Sequence, residues 1–155
     1  MSNIKIGDEK ITLDEKILEV NHETINEFLS KYAAWYRYYQ SKHSDATLIA
    51  RSYSDQYTSL LNSKFKKFKE EQGCSDKMAE ACAKSDEEVL SVQKKARAAE
   101  YIKDELYGFL RSMDYAHENA KELCYNMRKE MDKIGGSRVS QIDYKKLEEI
   151  YKGED

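Results

Sequence analysis

The residues of this 155-residue chain best equipped for chemistry lie in Asn62-Ser63-Lys64-Phe65-Lys66-Lys67-Phe68-Lys69, where basic and aromatic side chains interleave. Lysines attract phosphates without regard to sequence, and exposed rings let bases stack at ~1–3 kcal/mol each. Single-stranded nucleic acid is the ligand that such a mixture would take. The competing reading makes Phe65 and Phe68 core residues and the lysines a solvated face. Arg37 and Arg51 extend the candidate basic surface beyond Lys64, Phe65, Lys66, Lys67 and Lys69. From Arg37 to Lys69 seven basic residues stand against two acids, although the whole chain carries a net charge of −3. Residues 1–23 lean the other way, with three lysines against six acids. A polyanion responds to local charge, so the overall acidity does not exclude it.

A second cluster, Trp35-Tyr36-Arg37-Tyr38-Tyr39, places four rings within five residues, on all sides of a helix. They pack within a helical oligomer, or Tyr36 and Tyr38 stack on bases; the residues alone leave both open. Catalytic constellations are missing. His22, His43 and His117 are scattered, and no HExxH, GxxxxGK[ST] or GxGxxG occurs. Asp114 and His117, three apart, could share a metal only if a repeated motif and further carboxylates faced them, as in di-iron bundles. Cys74, Cys82 and Cys124 include no CxxC pair, so they are expected to be reduced structural thiols rather than ligands, nucleophiles or a disulfide framework. No enzyme activity, metal or cofactor is expected.

The elements that must position these residues are helical. Proline is absent and 35% of residues are charged, while 11% aromatic content and the small net charge argue against disorder. Thr24-Ile25-Asn26-Glu27 has capping-box spacing, and a seam of Ile25, Tyr32, Tyr39, Ala46, Tyr53 and Leu60 then runs without a breaker to Gly73. After a short, weakly helical stretch with Met78, Ala79 and Cys82, Ser85-Asp86-Glu87-Glu88 supplies a second capping box. The seam that follows is Val92, Ala99, Leu106, Met113, Ala120, Met127 and Ile134, and Gly135-Gly136 is expected to end that helix. The predicted fold is therefore all-α, a long antiparallel helical hairpin. Three regions divide it: an N-terminal arm over 1–23, a helical oligomerisation and binding domain over 24–134, and a C-terminal tail over 135–155. In the arm, Ile4-Lys5-Ile6 and Ile11-Thr12-Leu13 alternate around Gly7-Asp8-Glu9-Lys10 like a short β-hairpin, which needs support to be stable in water. In the tail, Asp143 can cap a short helix with Tyr144, Leu147, Ile150 and Tyr151 on one face, a docking surface or simply a solvated end.

Leu29, Tyr36, Tyr57 and Leu61, with Leu110, Cys124 and Met131, widen the apolar band beyond a two-helix seam, which predicts a homo-oligomer. Met1 to Lys10 holds no signal-like apolar run, and no stretch of 18 apolar residues occurs, so a cytoplasmic location and no membrane span are expected.

The layout resembles the UvsY recombination mediators of tailed phages. The resemblance starts at Ile11-Thr12-Leu13-Asp14-Glu15-Lys16-Ile17-Leu18 and continues through the aromatic-rich first helix with Lys31-Tyr32. It then takes in Lys64-Phe65-Lys66 ahead of Gly73 and the second helix from Asp86 to Met131. In that family a lysine and a second basic residue two apart take part in binding single-stranded DNA, and Lys64 and Lys66 match them. Lys69-Glu70-Glu71-Gln72 stands where the family has an aromatic pair, and the tail after Gly136 is additional. The resemblance implies a ring-like homo-oligomer that helps load a RecA-like recombinase onto strands covered by single-strand binding protein, in the host cytoplasm of a phage-encoded protein. The rival expectation is a scaffold or adaptor whose helices bind only protein.

Overall fold

The computed structural model describes residues 2–139. Strands β1 (Ser2–Ile6) and β2 (Glu9–Leu13) form an antiparallel hairpin with Ile4 opposite Ile11 and Lys5 opposite Lys10. The two-residue loop between them is Gly7-Asp8. Gly7 sits at φ +58°, which suits the first central position of a primed turn, the type that matches strand twist. A 3-10 turn, Glu15–Leu18, leads into helix α1 (Ile25–Glu70); helices α2 (Asp76–Ser85) and α3 (Glu87–Val139) follow.

Helices α1 and α3 are antiparallel and span roughly 70 and 80 Å at 1.5 Å per residue. Contacts between them descend one helix as they climb the other: Tyr32 with Asp114, Tyr57 with Gln93, Lys64 with Asp86. The expected seams face each other. Ile25, Phe28, Tyr39 and Ala46 of α1 are buried, as are Ala99, Leu106, Phe109, Met113, Ala116 and Ala120 of α3. Small residues on α3 opposite large ones on α1 let the two backbones approach.

Three features depart from expectation. The β-hairpin is part of the core rather than a separate arm: Ile4, Ile6, Ile11 and Leu13 pack against Tyr39, Ala46, Leu106, Phe109, Leu110 and Met113. It covers part of the apolar band that a two-helix seam leaves wet, Tyr36 and Leu110, and Lys42 ties it down through an ion pair to Glu9 at 2.6 Å. The weakly helical stretch is a full helix, α2, which buries Ala79 and Ala83 and covers the far end of the long pair. Finally, α3 runs through Gly135-Gly136 to Val139. Each glycine costs a helix only about 1 kcal/mol relative to alanine and keeps its N–H, so the pair weakens the helix without ending it. The helix expected from Asp143 lies outside the described residues.

Both capping boxes are also replaced. At the start of α1 the side chain of Asn21, not Thr24, accepts the N–H groups of Glu23 and Thr24 at 2.9 and 3.0 Å, and Glu27 turns to Lys31 instead. At α3 Asp86, not Ser85, accepts the N–H groups of Glu88 and Val89. Asparagine and aspartate serve as well as serine or threonine at such positions, so spacing alone does not choose among adjacent candidates.

Candidate nucleic-acid interface

The basic element Lys64–Lys69 forms the last two turns of α1, where cations meet the negative end of the helix dipole. There its lysines separate into two groups. Lys64 is only 20% exposed and reaches Asp86 at 3.0 Å and Glu88 at 2.6 Å, both at the start of α3. The Glu88 and Asp86 carboxylates hold its pKa above the usual lysine range. Lys64 in turn lowers that of Asp86, whose carboxylate also caps α3. Lys69 pairs with Asp76, the first residue of α2, at 2.8 Å and lies 5.9 Å from the Phe65 ring. Lys66 and Lys67, by contrast, are exposed and form no ion pair among the described residues. Phe65 and Phe68 are half-buried.

Charge that is contiguous in sequence is thus partly cancelled in space. Of the seven basic residues between Arg37 and Lys69, Lys42, Lys64 and Lys69 are engaged by carboxylates from β2, α3 and α2. The remaining four, Arg37, Arg51, Lys66 and Lys67, are exposed and without ion pairs among the described residues. Arg37, Arg51 and Lys66 recur at fourteen- and fifteen-residue steps, close to whole numbers of helical turns, on the side of α1 that faces away from α3. Hydroxyls of Ser44, Thr58 and Ser63 lie along the same outer side, where all three residues are exposed.

The aromatic cluster is mostly committed to packing within the chain. The Tyr39 hydroxyl donates to the Thr12 carbonyl at 3.1 Å, and its ring meets Phe109 edge-on at 4.7 Å. Trp35 leans on Phe28, and Tyr36 on Tyr32. Tyr38 alone of the four is largely open, 46% exposed, with the Lys42 ammonium 5.6 Å from its ring. Asp114 and His117 form no metal site: Asp114 accepts the Tyr32 hydroxyl at 2.9 Å, and the His117 ring stacks on Tyr32 at 4.1 Å. Burial first, and Asp114 second, push the Tyr32 hydroxyl well above the usual tyrosine range. Among the described residues no group of histidine, cysteine and acidic side chains is arranged to hold a metal. The cysteines Cys74, Cys82 and Cys124 are free thiols. No helix among the described residues is long and apolar enough to cross a membrane.

Between the hairpin loop and the long helices lies an open cleft of about 450 Å³, lined by Ile6, Ile49, Tyr53 and Ile102 with Lys5 and Lys95 among its polar groups. Sequence reasoning also passed over the outer side of α3, where Tyr101 and Tyr115 are each more than half exposed. The usable signal was the seven-residue step from Tyr101 through Gly108 to Tyr115, on the side opposite the buried seam. No family model, curated protein or solved structure matches the chain.

Proposed function

We propose that the protein is a non-catalytic, self-associating mediator that binds single-stranded DNA along the outer side of α1 and helps load a RecA-like recombinase onto strands covered by single-strand binding protein. The recombinase and single-strand binding protein come from the UvsY resemblance alone. The observation that carries the DNA contact is the row of exposed cations Arg37, Arg51 and Lys66 on that surface, with exposed Lys67 on its flank, none in an ion pair among the described residues. Arg37 and Lys66 are 29 residues apart, roughly 44 Å of helix, enough for several nucleotides. Each copy alone would bind weakly, and an assembly presenting many such rows to one strand would bind avidly. Lys64 belongs in this picture as a strut joining α1 to α3, and Lys69 as one joining α1 to α2.

The test is fluorescence anisotropy with a labelled oligonucleotide over a range of salt concentrations. Lys66→Ala with Lys67→Ala should weaken binding and flatten the log–log salt slope by ~1.4, the value for two phosphate contacts on a single strand. Lys64→Ala should leave the slope unchanged. Absence of affinity at low salt in the unaltered protein would overturn the DNA contact. The neutralisation of Lys42, Lys64 and Lys69 by the chain's own carboxylates favours, as a second reading, an adaptor that binds only protein.

A further inference from the structure

Gly108 stands in the middle of α3, and a Cβ added there would meet nothing within 4 Å. Neither the turn geometry nor the packing of the folded chain calls for glycine at this position. It costs the helix about what any interior glycine costs relative to alanine. Tyr101 lies seven residues before it and Tyr115 seven after, 62% and 61% exposed, on the same outward side. Two large amphipathic rings flanking a notch, on a helix face with no neighbour among the described residues, have the composition of a protein interface. Tyrosine and arginine are the residues most enriched there.

The charges around this notch identify the occupant. Reading outward from Gly108 in both directions, the charges on the notch side are complementary to their own reverse, while the like pair Lys95 and Lys121 lies away from it. Arg111 lies three residues after it, Glu105 three before and Asp104 four before. Lys94 lies fourteen before and Glu122 fourteen after; Arg97 lies eleven before, and Glu118 ten after. A second α3 laid antiparallel with its Gly108 against this one would bring Arg111 beside the partner's Asp104, which lies on the same flank of the notch. It would likewise bring Lys94 and Arg97 beside the partner's Glu118 and the partner's Glu122. A parallel partner in register would set like against like. The same operation interleaves the Tyr101 and Tyr115 rings of the two copies across the glycine notch. Lys94, Arg97 and Glu122 form no ion pair within the chain among the described residues and are free to make these contacts.

We propose that two copies of the protein associate through the outer sides of their α3 helices, antiparallel and centred on Gly108, in a twofold-symmetric contact. Such a contact is isologous: each charged pair occurs twice, so complementarity along one helix is doubled in the dimer. The overlap runs from residue 87 to residue 129, about 63 Å of helix, a length over which a side-by-side pair can exceed the ~1,000 Å² that a specific interface requires. The glycine lets the helix axes close in at the centre, as small residues do in tight helix pairs. This proposal deepens the self-association part of the proposed function and is independent of DNA binding.

Sedimentation velocity of the full chain over a micromolar concentration series tests it. Lys94→Glu with Arg97→Glu should weaken association at least tenfold, as should Glu118→Lys with Glu122→Lys, because each places like charges in contact. Combining all four substitutions in one chain should restore association to within about threefold of the original, since every pair is again opposite in sign. Gly108→Leu should abolish the close approach while circular dichroism shows full helicity, because a Cβ at this position meets nothing within 4 Å among the described residues and leucine is a stronger helix former than glycine. A monomeric unaltered protein overturns self-association and this interface together. An oligomer that survives both Gly108→Leu and the single-sided charge reversals keeps self-association and overturns this interface.

Discussion

One heptad stripe runs the length of α3, and its two halves differ in what they meet. From Ala99 through Leu106 and Met113 to Ala120 the stripe is at most 6% exposed, whereas Met127 is half-buried and Ile134, like Met131 beside the stripe, is 60% or more exposed. Periodicity and residue type are the same in both halves. The difference is the partner. The first half faces α1 and the β-hairpin, while the second projects past Ile25, where α1 begins. Amphipathic spacing therefore chooses which side of a helix is available for burial, and tertiary contact chooses how much of that side is buried.

Substitutions along the stripe sharpen this contrast. The largest effect is expected for Leu106→Ala, at the fully buried centre where α1, α3 and the hairpin meet: a loss of about 2–5 kcal/mol by urea denaturation. A loss below about 1 kcal/mol there would mean that the hairpin does not cover the helix pair in solution.

Alkaline titration probes the same packed half. Tyr32, Tyr36 and Tyr39 all have hydroxyls raised above the ordinary value of 10.0, in each case mainly by burial, with Asp114 beside the first two. Their folded pKa exceeds the unfolded one, so the stabilisation is complete below about pH 10 and is lost as pH rises through the folded values. The urea midpoint should fall steadily from about pH 10 upward and stay flat just below that. The Tyr32→Phe variant should show a smaller fall.

Tyr39→Phe should cost about 1 kcal/mol, because it leaves the Thr12 carbonyl without its donor and removes one tie between α1 and β2. Tyr38→Phe, on the exposed neighbour, should change stability by less than about 0.5 kcal/mol. The smallest effect belongs to the projecting half: Met131→Ala should alter stability by no more than about 0.5 kcal/mol in the isolated chain. A loss of several kcal/mol there would show that the projection is covered in the assembled protein.

Chemistry followed the same division as packing. The basic row of α1 was legible from its residues, but which of its members are available was not. Lys66 and Lys67 are open, whereas adjacent Lys64 is held by Asp86 and Glu88, more than twenty residues away in sequence. Similarly, the residues left base stacking open for Tyr36 and Tyr38, and in the fold Tyr36 leans on Tyr32 whereas Tyr38 stays 46% exposed. The outer row of Tyr101, Gly108 and Tyr115 was present in the sequence, yet it means little until the opposite side of α3 is known to be full.

By itself the sequence determined the two long helices, though not where α3 ends, the two seams that face each other and the strand alternation of the N-terminal hairpin. These depend on periods of 3.6 and 2 residues, which are local properties of the backbone. Only the tertiary structure decided that the hairpin belongs to the core, that α2 closes the far end, and that Asn21 and Asp86 rather than Thr24 and Ser85 serve as caps. It alone decided which lysines remain free. Each of these outcomes depends on distances between residues far apart in the chain, and a carboxylate neutralises a lysine according to their separation in space, whatever their separation in sequence.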